Sequence, residues 1–302
     1  MRCGSFKTLN KSNQRLVQTS ITPFGNFGPY KDYPGSDLTC SALGGFLYLA
    51  GVDNEKSVRA PDNQSYRMAE AYAATGTAIA LYNAMVTGKG QHVDVSALES
   101  VCTALENAVQ YYDLQGVIRR GKGTEAGIGI YPCQDGHVCI VAIMGQNRYL
   151  WDRFVEWLKK EGVEEIELLE DEKWTNPAYR ATKEANEIFS RVFNRFALTH
   201  TKLYLYEQGQ KNNCPISPVS NGKDLLENPQ LNSRAFWKKQ YVEQLKGDLT
   251  FPGEPYELEK LKWRLGSGGP AFGQHTGEIL RELGYQPSEI DKLEKEGVIH
   301  VG

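Results

Sequence analysis

The residue types that could do chemistry in this 302-residue chain are few and scattered. Arg119, Arg120 and Lys122 lie together in the run RRGKGTEAGIG. Guanidinium and ammonium groups pair with phosphate oxygens, so this cluster could attract the phosphates of an adenine nucleotide, and a solvated loop is the alternative. His275, in FGQHTGE, stands before a helix, where it could meet a ligand or serve as a structural hydrogen-bonding residue. The five histidines lack the spacing of a metal site, and no GxxxxGK, HExxH or GxSxG run occurs. Metal catalysis and serine hydrolysis are therefore disfavoured. The glycines of GKGQ precede a strand instead of following one, so they read as a tight turn and not as a dinucleotide fingerprint. Cys3, Cys40, Cys102, Cys133, Cys139 and Cys214 form no CxxC pair and no dense framework, which points to reduced, mostly buried thiols.

The elements that must position any such site can be read from pattern. RLVQTSIT (15–22) predicts a short buried strand, and the glycine- and proline-rich turn PFGNFGPYKDYPGS that follows is a plausible ligand loop. Ser65 to Met85 has helical length and many small residues, suited to close packing on neighbouring backbone. The turn TGKGQ leads to the strand HVDVS, where Ser96 and Glu99 form a capping signature for a helix running to about Leu114. Arg119 to Gly129 reads as a linker or site loop. Beyond it, IYPCQDGHVCIVAI predicts two strands around an Asp-Gly turn, and YLWDRFVEWLKK and ANEIFSRVFNRFALTH predict amphipathic helices. After CPISPV the chain reads as polar and extended up to FPGEPYELE, before two short closing helices in TGEILRELG and PSEIDKLEKEGV.

Composition bounds the rest. Hydrophobic residues at 40% and charged residues at 24% argue for a packed core over disorder, and a formal charge of -3 gives no footprint for nucleic acid or an anionic membrane. The first thirty residues carry Lys7, Lys11 and Arg15 without an apolar signal core, and no stretch reaches about 18 apolar residues. Location in the cytoplasm is the expectation.

Four segments in order, SITPFGNFGPYKDYPGSDLTCSALGG, TGKGQHVDVSALES, LYLYEQGQKNNCPISPV with ENPQL, and FGQHTGEILRELG, resemble the family III (CaiB/BaiF) coenzyme A transferases nearly end to end. The resemblance implies an α/β fold: a partial Rossmann-like large domain over residues 1–115, a linker at 116–125, a small inserted α+β domain at 126–215, a returning linker at 216–265, and C-terminal helices at 266–302 joining the large domain. It also implies transfer of coenzyme A between an acyl-CoA thioester and a carboxylic acid, with coenzyme A as substrate and no permanently bound cofactor. Relatives racemise or isomerise acyl-CoA thioesters. In the transferases an aspartate attacks the thioester, giving a mixed anhydride and then an aspartyl-CoA thioester, while backbone N–H groups and a glycine-rich loop shield the developing oxyanion.

That aspartate stands at a fixed distance before the TGKGQ turn. Counting back from Thr87 reaches Tyr66, and a phenol is a poor substitute for a carboxylate in this chemistry. Asp62 and Glu70, four residues to either side, are the substitutes available in a shifted register. By the same resemblance Pro34, Gly35, Ser36 and Asp37 sit at the coenzyme A contact loop, with a pure turn role as the alternative, and Gly127 and Gly129 are a loose counterpart of the substrate-covering loop. The family has a substantial segment before SIT-FG that this chain lacks, so a truncated gene model, a fragment and one product of a split gene all stay open. Homodimerisation, or pairing with a homologue that carries the aspartate, is the expected assembly. An enzyme using an acid near residues 62–70, a non-catalytic subunit and a functionless remnant are the three readings.

Overall fold

The computed structural model describes residues 5–50, 57–105, 107–118, 125–144, 148–242, 245–264, 266 and 269–302. Cys3 and the Arg119, Arg120 and Lys122 cluster lie outside the described residues. The chain divides into two units, Met1–Asp135 with Cys139–Ile216, and Gly136–Val138 with Ser217–Gly302.

The first unit opens with α1 (Phe6–Leu9), β1 (Gln18–Thr22), α2 (Asp37–Leu43), α3 (Phe46–Leu49), α4 (Gln64–Thr87), β2 (His92–Ser96), α5 (Ala97–Thr103) and α6 (Ala108–Gln115). β1 and β2 pair in parallel, from Gln18 opposite His92 to Thr22 opposite Ser96. A parallel pair needs a long crossover, and α2 to α4 supply it. Helix α4 packs on both strands. Its buried Ala69, Ala73, Ala80 and Ala84 recur at helical spacing, so small side chains form the contact face, and a Cβ on Gly76 would come within 3.0 Å of Val93 Cγ1. The expected small-residue helix is present and ends at Gly88, whose φ of +74° suits a glycine C-cap. In the next turn Gly90 donates its N–H to Gln14 O at 2.7 Å, and a Cβ there would collide with the backbone of Leu16. The single helix predicted from Ser96 is instead two. Ser96 Oγ accepts from Glu99 N as expected, but α5 stops at Thr103 and α6 starts after Asn107, a residue type that favours caps over helix interiors.

One buried carboxylate ties α2 to α4. Asp37, only 5% exposed, begins α2 and accepts from both the N–H and the hydroxyl of Ser65 at 2.8 Å, with Arg59 Nη2 at 3.1 Å. Burial pushes the carboxyl pKa up, but the Ser65 hydroxyl and N–H and the Arg59 guanidinium outweigh it and hold Asp37 below the ordinary carboxylate value.

Further along, β3 (Ile128–Cys133), β4 (Gly136–Val141) and β5 (Ile216–Pro218) form a three-stranded sheet in that order. Between β4 and β5 come α7 (Arg148–Lys160), α8 (Pro177–Arg180), α9 (Lys183–Ala197) and α10 (Lys202–Lys211). The apolar stripes of α7 and α9 meet in an aromatic core of Trp151, Phe154, Trp157, Trp174, Phe189 and Phe193, with Trp151 and Trp174 stacked at 5.0 Å. Each indole N–H finds a partner: Trp151 on Leu169 O, Trp174 on Leu168 O and Trp157 on Glu161 Oε1. Arg180, fully buried, donates to Glu125 Oε1 from Nη2 at 2.6 Å and from Nε at 3.0 Å, and to Trp174 O at 2.6 Å.

The second unit holds α11 (Gly222–Glu227), α12 (Pro229–Ser233), the antiparallel pair β6 (Trp237–Val242) and β7 (Gly247–Pro252), α13 (Thr276–Glu282) and α14 (Pro287–Lys295). The stretch read as extended therefore contains two short helices and a hairpin. Asn221 and Asn228 cap those helices, and Pro229 sits at a first helical position, a signal too local to stand out in a polar run. The two closing helices are where the sequence places them.

Two measurements check this account. Glu125→Gln removes the carboxylate paired with the buried Arg180 and is expected to cost about 3–5 kcal/mol in urea unfolding. The Asp37 carboxylate, with its folded pKa lowered, contributes stability above its unfolded-state pKa and loses it as the pH falls through the folded value. Asp37→Asn should therefore lower stability at neutral pH by about 1–3 kcal/mol and flatten the acid limb of the stability curve below about pH 4.

Candidate active site

The start of α4 is built by its surroundings more than by its own caps. Asn63 at the N-cap makes no side-chain cap bond, and the Ser65 N–H, one of the helix's orphan donors, goes to Asp37. That bond fixes Tyr66, the next residue. Tyr66 packs with Phe24 and Val93 against a buried cluster of Cys40, Ala69, Ala73, Val95 and Ala97, which places it between the first turn of α4 and the loop after β1.

The two acids flanking Tyr66 both pair with Arg67. Asp62 sits in the turn before α4 with φ at +61°, and its carboxylate accepts from Arg67 Nε at 3.4 Å. Glu70 accepts from Arg67 Nη1 at 3.1 Å. Both carboxylates are about half exposed, at 53% and 54%, and both are held by one guanidinium.

Gly35, Ser36 and Asp37 each help to shape the loop. A side chain on Gly35 would collide with Pro23, Ser36 forms a capping box with Thr39 at the start of α2, and Asp37 makes the bonds to Ser65 and Arg59. The preceding turn is pinned to β2: Asn26 donates from its N–H and its side-chain amide to the two oxygens of Asp94 at 2.9 and 2.7 Å, and Gly25 has φ of +86°. Ser65, Arg59 and Asp94 were not picked out as site residues from sequence. Their partners lie 28, 22 and 68 residues away, beyond the reach of any local pattern.

Gly127 and Gly129 lie at the entry to β3. Gly127, with φ of +85°, is buried, and a Cβ there would come within 2.8 Å of Trp151 Cζ3, so its glycine serves packing. Gly129 lines an open groove of about 620 Å³ with Tyr131, Asn186, Ser190 and Asn194. His275 is the N-cap residue of α13, half exposed, with Nδ1 3.6 Å from Glu278. Among the described residues no group of acids, histidines and cysteines could hold a metal ion, and no helix is long and apolar enough to cross a membrane. The described cysteines are free thiols, and burial pushes Cys214 up to about 12, which leaves it unreactive at neutral pH.

Residues 4–276 match the model of CoA-transferase family III. Over 297 residues, 98% of this chain and 72% of the relative, the sequence is 55% identical to the succinyl-CoA:(R)-benzylsuccinate CoA-transferase subunit BbsE of Thauera aromatica. It is 29% identical to the cinnamoyl-CoA:phenyllactate CoA-transferase of Clostridium sporogenes, covering 98% of this chain and 71% of that protein. It is also 26% identical to the succinyl-CoA–L-malate CoA-transferase beta subunit of Chloroflexus aurantiacus, covering 96% and 71%. Among solved structures, a CaiB/BaiF family protein from Brucella suis superposes with a TM-score of 0.75 at 22% identity, over 92% of this chain and 71% of that one. The parallel β1–β2 pair under a small-residue helix, the TGKGQ turn and these matches agree: the chain is a member of CoA-transferase family III.

Proposed function

We propose that this chain is the non-catalytic subunit of a heteromeric CoA-transferase, working in the cytoplasm beside a homologous chain that carries the nucleophilic aspartate. The observation that carries this reading is Tyr66, seated inward at the start of α4 while Asp62 and Glu70 are both engaged by Arg67. The names of two relatives, each a subunit of a larger transferase, support it. The substrates we infer are succinyl-CoA as donor and an aryl-substituted succinate as acceptor, by similarity to the Thauera aromatica protein. In this assembly coenzyme A runs along the Pro34–Asp37 loop, and Gly129, more than the buried Gly127, is the small-domain glycine open to a ligand.

The chemistry supplies a direct test. Family transfer passes through an anhydride or thioester on an enzyme carboxylate, and hydroxylamine converts such an acyl group to a stable hydroxamate. The chain purified alone with succinyl-CoA and benzylsuccinate is expected to transfer no coenzyme A, and the complex with its partner to transfer it. Mass spectrometry after hydroxylamine treatment of the complex should find the hydroxamate on a partner peptide. A hydroxamate on Asp62 or Glu70 would overturn the assignment.

A further inference from the structure

The loop between β1 and α2 carries large rings on its outside. Phe27 is 78% exposed, Tyr30 45% and Tyr33 60%. Two of them are ordered with Phe24: Phe24 meets Tyr30 edge-on at 6.2 Å, and Tyr30 stacks on Tyr33 at 5.3 Å with 28° between planes. Their backbone is held as well. Asp94 takes both donors of Asn26, Thr22 Oγ1 accepts from Gly25 N at 2.9 Å, Gly28 turns the chain with φ of +92°, and Tyr33 N donates to Tyr30 O at 2.9 Å.

The inner end of this ladder is at the candidate active site, because Phe24 packs on the same buried cluster as Tyr66. A ring face left open beside a stacked pair is suited to a planar aromatic guest, which gains both apolar contact and ring–ring attraction. We propose that Tyr30 and Tyr33, with Phe27 at the tip, form the platform on which the aryl group of the acceptor acid stacks, and so select aryl-bearing over alkyl-bearing acids. This rests on the transferase reading above. The adenine of coenzyme A is the other planar ring in the reaction, but it lies at the far end of the cofactor from the thioester. The ladder starts at the cluster on which Tyr66 packs, and by the resemblance Tyr66 stands where the family's nucleophile meets the acyl group.

The test uses the complete complex and compares kcat/KM for 2-benzylsuccinate with that for 2-hexylsuccinate. In the double variant Phe27→Leu with Tyr33→Leu, which keeps apolar bulk and removes planarity, the preference for the aryl acid is expected to fall about three- to tenfold. Tyr33→Phe is expected to retain it, and both variants should keep the parent's unfolding midpoint because these side chains are exposed. An unchanged preference in the double variant would overturn the proposal while leaving the transferase reading intact. Saturation-transfer NMR on the full chain gives a readout independent of turnover, with 2-benzylsuccinate and adenosine 3′,5′-bisphosphate as probes. Signal at the phenyl protons that weakens in the double variant supports the platform, even if the complex transfers no coenzyme A and the transferase reading fails. Weakening confined to the adenine protons, or no phenyl signal from the parent, overturns it.

Discussion

The contact between Asp37 and Ser65 joins two parts of the chain that would otherwise meet only through apolar packing. A carboxylate buried at the start of α2 needs donors, since an unpaired charge in such a place is expensive, and it finds them in the first turn of α4 and in Arg59. The first turn of α4 needs acceptors for its orphan N–H groups, and its own N-cap side chain supplies none. Each requirement answers the other. Tyr66 follows Ser65 directly, and its ring packs with Phe24 against the same buried cluster.

Much of the architecture was legible because it is local. Small residues at helical spacing announced α4, Ser96 announced the start of α5, an Asp-Gly turn announced β3 and β4, and apolar periodicity announced the amphipathic helices α7 and α9. The site was less so. Nothing near Asp37 in sequence names Ser65 as its partner, and Asp94 was read only as a strand residue although it holds the loop after β1. Glu125 and Arg180, 55 residues apart, meet inside the core, where charges are rarely expected without a visible partner. The break between α5 and α6 and the hairpin after Phe236 were missed for a milder reason: caps and alternation in short polar stretches carry little weight against a longer pattern.

Membership in the family and the identity of the reacting group come from different kinds of observation. Family membership spreads over many positions, so no single residue endangers it, and the parallel strands with their crossover helix agree with it. By the resemblance, catalysis in this family is concentrated in one carboxylate. In the reading proposed above, a tyrosine at that place would keep the helix, its packing and its anchoring bonds without supplying the carboxylate, while Asp62 and Glu70 pair with Arg67.

The TGKGQ turn shows how two glycines in one motif can carry unequal constraints. Gly88 needs only a left-handed backbone at the end of α4, which an asparagine can also adopt, and open space surrounds it. Gly90 is crossed by the backbone of Leu16, so even one extra carbon would push residues 14–16 away and shift β1 against β2. For anyone diversifying this scaffold, the first glycine is a place where variation can be absorbed, and the second is a fixed point on which the alignment of the parallel strands turns.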